Sequence, residues 1–448
     1  METTYNISAK EQNISNMLKV LFFIVIISFI IRDGLGINIP TSLFLFLYLF
    51  GFMLLKGNEM LLYFIFLVPL STGPLLYYLH VVFGLMFLIK NINVIKINRT
   101  IIISFILVLW ETLHLLPNAI LGYSESIIKL LGFSLCLFVT VICISSRNLK
   151  INYVTLMFSW CLGLASFCGI LLLKYIYKFG IGNLSLAVRR FGWVPNTLDV
   201  VSTSLLINPN ALGKLVVLTV FCLLTVVRFE KKYIKLITFS IIYFILFGIM
   251  TVSRGFLLNF LVLSIVFILE MLCNISQNKK LLFITIIVII LIFTIVIKFM
   301  ESTLNMFSER LQSEDISGSR FKIFSMYLNY LKCSPYLILG SGMQDYTDKF
   351  NMEASSHNII IEVISIWGIV GLAIVVLWFI SLYKSLNVNK KVFNKSRTVL
   401  PYLPLVGLML SAQAGQFFIS YYDTFPTLIL AFLCIKYGER KIIENNTI

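Results

Sequence analysis

The chain has 448 residues, 59% hydrophobic and 12% charged, with a formal charge of +16 and a mean hydropathy of +0.95. No soluble domain of this length has such a composition. Apolar runs of about 18 residues or more read as transmembrane helices, and here they recur almost from end to end. The expected fold class is all-α: a polytopic integral membrane protein with about 12–14 transmembrane helices. A β-barrel is excluded, because its strands alternate and are much shorter. Most basic residues lie in short connections, where they set topology, so nucleic acid is not an expected partner.

The apolar spans fall at 17–31, 38–55, 59–71, 74–90, 100–117, 125–146, 152–178, 209–228, 233–250, 256–272, 281–300, 358–382, 398–416 and 424–437. One membrane domain is expected over 1–448. The spans at 59–71 and 74–90 are short and are separated by a break at Ser71-Thr72-Gly73-Pro74. They read as two tilted spans or as one re-entrant hairpin. Most cysteines sit inside apolar runs and read as small buried hydrophobes. Met1 to Asn16 is polar and lacks a cleavage pattern, so the first span is expected to be retained.

Alternate connections carry the cations: Lys90, Lys96 and Arg99; Arg147 and Lys150; Arg228, Lys231 and Lys232; Lys279 and Lys280; Lys384, Lys390, Lys391, Lys395 and Arg397; and the tail with Lys436, Arg440 and Lys441. The positive-inside rule makes that side cytoplasmic, with both termini. Loops 179–208, 251–255, 301–357 and 417–423 then face outward.

The outward loops hold the polar chemistry. Loop 179–208 carries Arg189 and Arg190 and ends Asn208-Pro209-Asn210. Loop 301–357 is the longest interruption, and a long polar loop between spans usually has a job of its own. Within it, Phe321, Phe324, Leu328 and Leu331 recur at helical spacing opposite Lys322, Ser325, Asn329 and Lys332. That pattern predicts an amphipathic helix on the membrane surface over 319–333, capped by Ser317 or Ser319 and stopped at Ser334-Pro335. Gly340-Ser341-Gly342 reads as a flexible turn.

Arg254 interrupts an apolar stretch within Thr251-Val252-Ser253-Arg254-Gly255. It reads either as an interfacial, snorkelling arginine or as an anion clamp, because the guanidinium fork fits phosphate. His357, at a span boundary, is a structural hydrogen-bonding residue or a base able to accept a proton at neutral pH. Asn358 beside it orients it or caps the helix. Arg189 and Arg190 lie outward against the charge bias; they are solvated or bind an anion. Arg320 opens the surface helix where the dipole disfavours a cation, which hints at an anionic partner. Asp345 and Asp348 are weak candidates for a base or metal site. Glu111 and His114, three residues apart on one helical face, read as a polar contact between helices.

The order of these pieces is Asn-Pro-Asn opening a span, Thr-x-Ser-Arg-Gly opening another, then a Gly-Ser-Arg helix, a Gly-x-Gly turn and His-Asn entering the next span. It resembles the O-antigen polymerase and O-antigen ligase superfamily of bacterial membranes, most firmly over 208–382. The resemblance implies a GT-C-like glycosyltransferase of the bacterial inner membrane, with its active site at the periplasmic face. Its substrate would be an oligosaccharide on undecaprenyl diphosphate, in a setting of membrane lipid, with a chain-length regulator as a further partner. Arg254 and His357 match arginine and histidine positions typical of the family and are the expected catalytic residues. Arg190 or Arg189 matches an arginine of the earlier outward loop. Arg320, Asn358 and Asn210 are assigned to diphosphate or glycan binding.

Arginines can neutralise a departing diphosphate, so no metal or other cofactor is expected, and His357 is the candidate base, with inversion by direct displacement. The idiosyncratic, Phe-, Ile- and Asn-rich composition favours a polymerase, which extends lipid-linked repeat units in lipopolysaccharide biosynthesis, over a ligase that transfers to lipid A core. A lipid-linked oligosaccharide flippase is the rival class, but transporters tend to place polar residues near the midplane of matching halves.

Overall fold

The computed structural model describes residues 15–120, 124–146, 149, 151–180, 191–192, 205, 207–273, 290, 294, 305, 308, 312, 320–332, 334–343, 347, 350, 352, 355–389, 392–393, 396 and 398–446. The protein is all-α, 83% helical, with no strand among the described residues. A helix closes its backbone hydrogen bonds within its own segment, as a bilayer requires. We number the helices α1 (Asn16–Phe29), α2 (Thr41–Leu54), α3 (Asn58–Leu70), α4 (Pro74–Asn91), α5 (Arg99–Ile120), α6 (Ser124–Ser145), α7 (Tyr153–Phe179), α8 (Pro209–Phe229), α9 (Ile234–Met250), α10 (Arg254–Cys273), α11 (Arg320–Lys332), α12 (Tyr336–Leu339), α13 (Ile359–Ser385), α14 (Leu403–Ala412) and α15 (Tyr421–Asn446). Each span read from the sequence has its helix, except 281–300, of which the structure describes residues 290 and 294 alone. Seven of the described helices are long and apolar enough to cross a membrane. Phe23, Phe239 and Ile265 stay exposed along their helices, as lipid-facing side chains would.

The pair at 59–71 and 74–90 forms two antiparallel helices, as either reading allows. The Lys90 ammonium at the end of α4 donates to the carbonyls of Phe52, Met53 and Leu55 at the end of α2 (2.7–2.8 Å). At the start of α3, Glu59 accepts from Ser15 N ahead of α1 (3.0 Å). These contacts put the start of α3 and the end of α4 at one end of the bundle, the basic end. Met60 to Leu70 are all buried. The α3 backbone lies directly on Gly163 of α7, where an added Cβ would meet Phe66 O at 2.1 Å.

Three buried glutamates pin the irregular backbone. Glu270, near the end of α10, accepts from Arg228 Nη1 (2.7 Å) and from the backbone of Val399 and Leu400 (both 2.8 Å), and also from the Thr398 hydroxyl. Glu362, in the first turn of α13, accepts from the N–H groups of Phe417, Phe418 and Ile419 at 2.7–2.8 Å. Glu111 on α5 accepts from Met343 N (2.9 Å) and Trp367 Nε1 (2.6 Å). Buried N–H groups without an acceptor cost about 1–3 kcal/mol each, and these carboxylates supply one.

The Gly340–Gly342 turn differs from its sequence reading: it is a packed bridge. α13 breaks at Gly368 (φ 69°, ψ −171°), about 14 Å along the helix from its start. The break frees carbonyls, and the turn takes them up. Ser341 N donates to Ser365 O (3.0 Å), Gly342 N to Ile366 O (2.7 Å) and Trp110 Nε1 to Trp367 O (3.2 Å). His114 bonds Leu339 O through Nε2 (2.9 Å). Non-helical backbone this deep is stable only when protein satisfies it. Glu111 and His114 therefore do make a polar contact, but mainly to this inserted segment.

α11 forms within the stretch read as helical from the sequence. It buries Tyr327 and Leu331, with Tyr327 and Tyr330 against Phe350 (ring centroids 5.8 and 4.8 Å). Phe321 and Leu328 stay exposed. The aromatic contact with Phe350 docks one side of the helix on the protein, while Phe321 and Leu328 of the stripe read off the sequence stay open.

Gly368→Ala places a Cβ 2.1 Å from Ile338 O at a positive φ. It should therefore unfold in detergent far more readily than Gly36→Ala. Gly36 also has a positive φ but nothing within 4 Å of a new Cβ, so that variant loses only about 1–2 kcal/mol of left-handed strain. Equal unfolding midpoints for the two variants would show that the 338–342 segment is not fixed on α13.

Candidate functional site

The end opposite Lys90 gathers four helix starts. Asn208 caps α8 by accepting from Asn210 N (2.9 Å), with Pro209 at the first helical position. Ser253 caps α10 by accepting from Phe256 N (3.2 Å). Asn358 caps α13 by accepting from Ile360 N and Ile361 N (3.0 and 3.2 Å). α15 starts at Tyr421, after the loop that Glu362 holds.

These starts are tied to one another. Ser253 Oγ donates to Asn210 Oδ1 (2.9 Å), joining α10 to α8. Phe256 packs between Gly213 and Gly248; a Cβ on either would meet it at 2.8 or 2.5 Å. Asn259 donates to Ser411 at the end of α14 (2.7 Å). Two residues on, Gln413 Oε1 accepts from Asn358 Nδ2 (3.2 Å). Lys214 of α8 lies within electrostatic reach of Asp423 on α15 and Glu362 on α13. Arg254 and His357 thus sit at the same end of the bundle, joined by a continuous run of contacts.

The backbone at both residues is unusual. Val252 (φ 48°) and His357 (φ 50°) have left-handed conformations without being glycine. For a β-branched residue such as Val252 this is strained, and such strain gathers at functional sites. The turn is held by Thr251 Oγ1 donating to Gly248 O (2.6 Å) and by Phe191 N donating to Met250 O (2.9 Å). His357 is half-buried, and Arg320 lies within electrostatic reach. Burial, then the Arg320 cation, push the imidazole below its ordinary value of 6.5, so it is neutral near pH 7 and can accept a proton.

Of the residues singled out in the sequence, the structure brings Arg254, Asn210, His357, Asn358 and Arg320 to this end. Asn358 and Asn210 are also structural here, one as cap and the other as anchor for Ser253. Arg189, Arg190, Asp345 and Asp348 lie outside the described residues. Among the described residues no group of three or more histidine, cysteine or acidic side chains is placed to hold a metal. Sequence reasoning passed over Lys214, Glu362 and Asp423. Their signal was a charge just inside the start of an apolar run, where ionisable groups are costly.

No curated protein matches the chain. Residues 239–376 match the model of the O-antigen ligase family, a stretch that contains Arg254, Arg320, His357, Glu362 and the Gly368 break and leaves out Asn210, Lys214 and Asp423. The match supports O-antigen polymerase or ligase activity in general, on lipid-linked glycans in a membrane. Over this stretch, the chain is similar to the O-antigen polymerase and ligase superfamily.

Proposed function

We propose that the chain is an O-antigen polymerase that joins oligosaccharide repeat units carried on undecaprenyl diphosphate at the outward face of the bacterial inner membrane. The observation that carries this reading is the junction of Arg254, Lys214, Arg320 and His357 at one end of the bundle. Four helix N-termini there add positive potential, which suits a diphosphate.

The acceptor sugar hydroxyl attacks the anomeric carbon of the donor. Its oxygen forms the new glycosidic bond as the bond from that carbon to the diphosphate oxygen breaks. The diphosphate leaves with the electron pair, stabilised by Arg254 with Arg320 and the outward-loop arginines Arg189 and Arg190. The hydroxyl proton passes to neutral His357. Direct displacement inverts the anomeric centre. A ligase would run the same chemistry with lipid A core as acceptor, and the name of the matched family keeps that second reading in play. Complementation separates the two: long polysaccharide restored in a polymerase-null strain supports the first, glycan restored on lipid A core in a ligase-null strain the second.

Arg254→Ala and His357→Ala should abolish glycan transfer by purified enzyme at unchanged protein level. Arg254→Lys should keep part of it, since the charge remains without the fork. Wild-type product from either alanine variant removes that residue from the mechanism.

The His357 base also fixes a pH response. Its lowered pKa keeps the ring neutral as pH falls, so the acid limb of the rate profile lies below 6.5. Arg320→Gln removes one of the two lowering causes, so the limb should move to higher pH. A limb that stays in place or moves lower would separate the His357 titration from activity.

A further inference from the structure

A cavity lies at the other end of the molecule. It encloses about 720 Å³ between α13, α14 and α15, with Phe379, Tyr383, Lys384, Leu405, Met409 and Phe432 among its walls. That volume is typical of a small-molecule site. The groove runs from Asn387 and Lys384, past the end of α13, toward Met409 and Phe432 in the interior of the bundle. Ile380 in its wall, and Val376, Leu377, Val406 and Leu410 around it, are exposed apolar side chains, so it opens onto the lipid-facing surface. An apolar void there forfeits the dispersion contacts that close packing would supply.

Its mouth is cationic. Among the described residues no carboxylate lies within ion-pair distance of Lys384. The helix end does not consume the ammonium either, because Leu386 N and Asn387 N take up the carbonyls of Tyr383 and Lys384 (3.3 and 3.1 Å). The nearby Glu439 carboxylate accepts from Asn389 N. The connection that follows adds Lys390, Lys391, Lys395 and Arg397 in the sequence, with no acidic residue between Lys384 and Arg397. Such a juxtamembrane cluster attracts anionic headgroups, and each cation contributes.

We propose that this groove binds an anionic glycerophospholipid, one acyl chain lying between Tyr383, Met409 and Phe432 and the phosphate headgroup on Lys384. The site is separate from the proposed glycan site, at the opposite end of α13, and would couple the packing of α13 to α14 and α15 to the lipid of the basic face.

The test is native mass spectrometry of delipidated, detergent-purified full-length protein titrated with phosphatidylglycerol or phosphatidylcholine. Wild type should bind phosphatidylglycerol in preference. Lys384→Gln should weaken that binding about fivefold. Met409→Trp, which fills the groove, should weaken binding of both lipids, while Arg254→Ala should leave both unchanged. Unchanged binding by Lys384→Gln, or equal affinity of wild type for the two lipids, overturns the proposal. So does displacement of phosphatidylglycerol by an equal concentration of a polyprenyl phosphate, which would assign the groove to a substrate tail. Lys384→Gln alters only an exposed side chain, so it keeps the test decisive if Met409→Trp does not fold.

Discussion

The Glu362 carboxylate and its three backbone partners are the contact on which the end that gathers the four helix starts depends. α14 is only ten residues long, about 15 Å of helix, well short of a hydrocarbon core about 30 Å thick. The chain beyond it, up to α15, must run as irregular backbone at a depth where water is scarce. Phe417, Phe418 and Ile419 would leave their N–H groups unsatisfied there, and Glu362 takes all three. The same carboxylate stands in the first turn of α13, close to Lys214. One side chain therefore fixes the α14–α15 loop, orders the start of α13 behind His357, and offers its charge to the lysine. Glu270 and Glu111 repeat the device elsewhere. The protein spends its few buried carboxylates on backbone that helices cannot satisfy.

The second constraint is the break in α13. A helix interrupted at Gly368 would expose carbonyls, but the 338–342 segment enters to meet them. Gly340, Gly342 and Gly368 are needed because each has a positive φ and almost no room for a Cβ. The long polar loop is thereby anchored deep in the bundle at both sides of its last stretch: at Gly342 on α13 and at Asn358 on Gln413. The loop can then hold α11, and with it Arg320, beside His357. Geometry at the proposed site follows from hydrogen-bond accounting within the membrane.

Helix number and order were legible in the sequence because bilayer thickness imposes a length that composition reveals. Caps were legible too: Asn-Pro-Asn and His-Asn each carry the residue that accepts the first free N–H groups, and the structure uses both. Long-range pairings were hidden. Nothing local in Glu362 names residues 417–419 as its partners, and Gly340-Ser341-Gly342 looks mobile until the Gly368 break that receives it is known. The apolar stripe of α11 was legible, with Phe321 and Leu328 exposed and Leu331 buried, but the aromatic packing of Tyr327 on Phe350 was not. Arg254 and His357 stand out in the sequence because a cation and an imidazole at span boundaries are costly. The proximity of Lys214 to Asp423 and Glu362 was hidden, because a single lysine near a span start resembles an ordinary interfacial anchor.

In the proposed mechanism, distant cations and one imidazole meet at a single end of the helical bundle to hold a lipid diphosphate. That arrangement is tested most directly by photo-crosslinking. An undecaprenyl-diphosphate-linked oligosaccharide with a diazirine beside the diphosphate would be bound to the reconstituted protein, irradiated, and its adducts mapped by peptide mass spectrometry. Adducts on Ser253–Arg254, Arg320 and His357–Asn358, removed by excess unlabelled lipid, are the predicted result. Labelling confined to the Phe379–Val388 groove, or adducts spread along the lipid-facing helices, would contradict it.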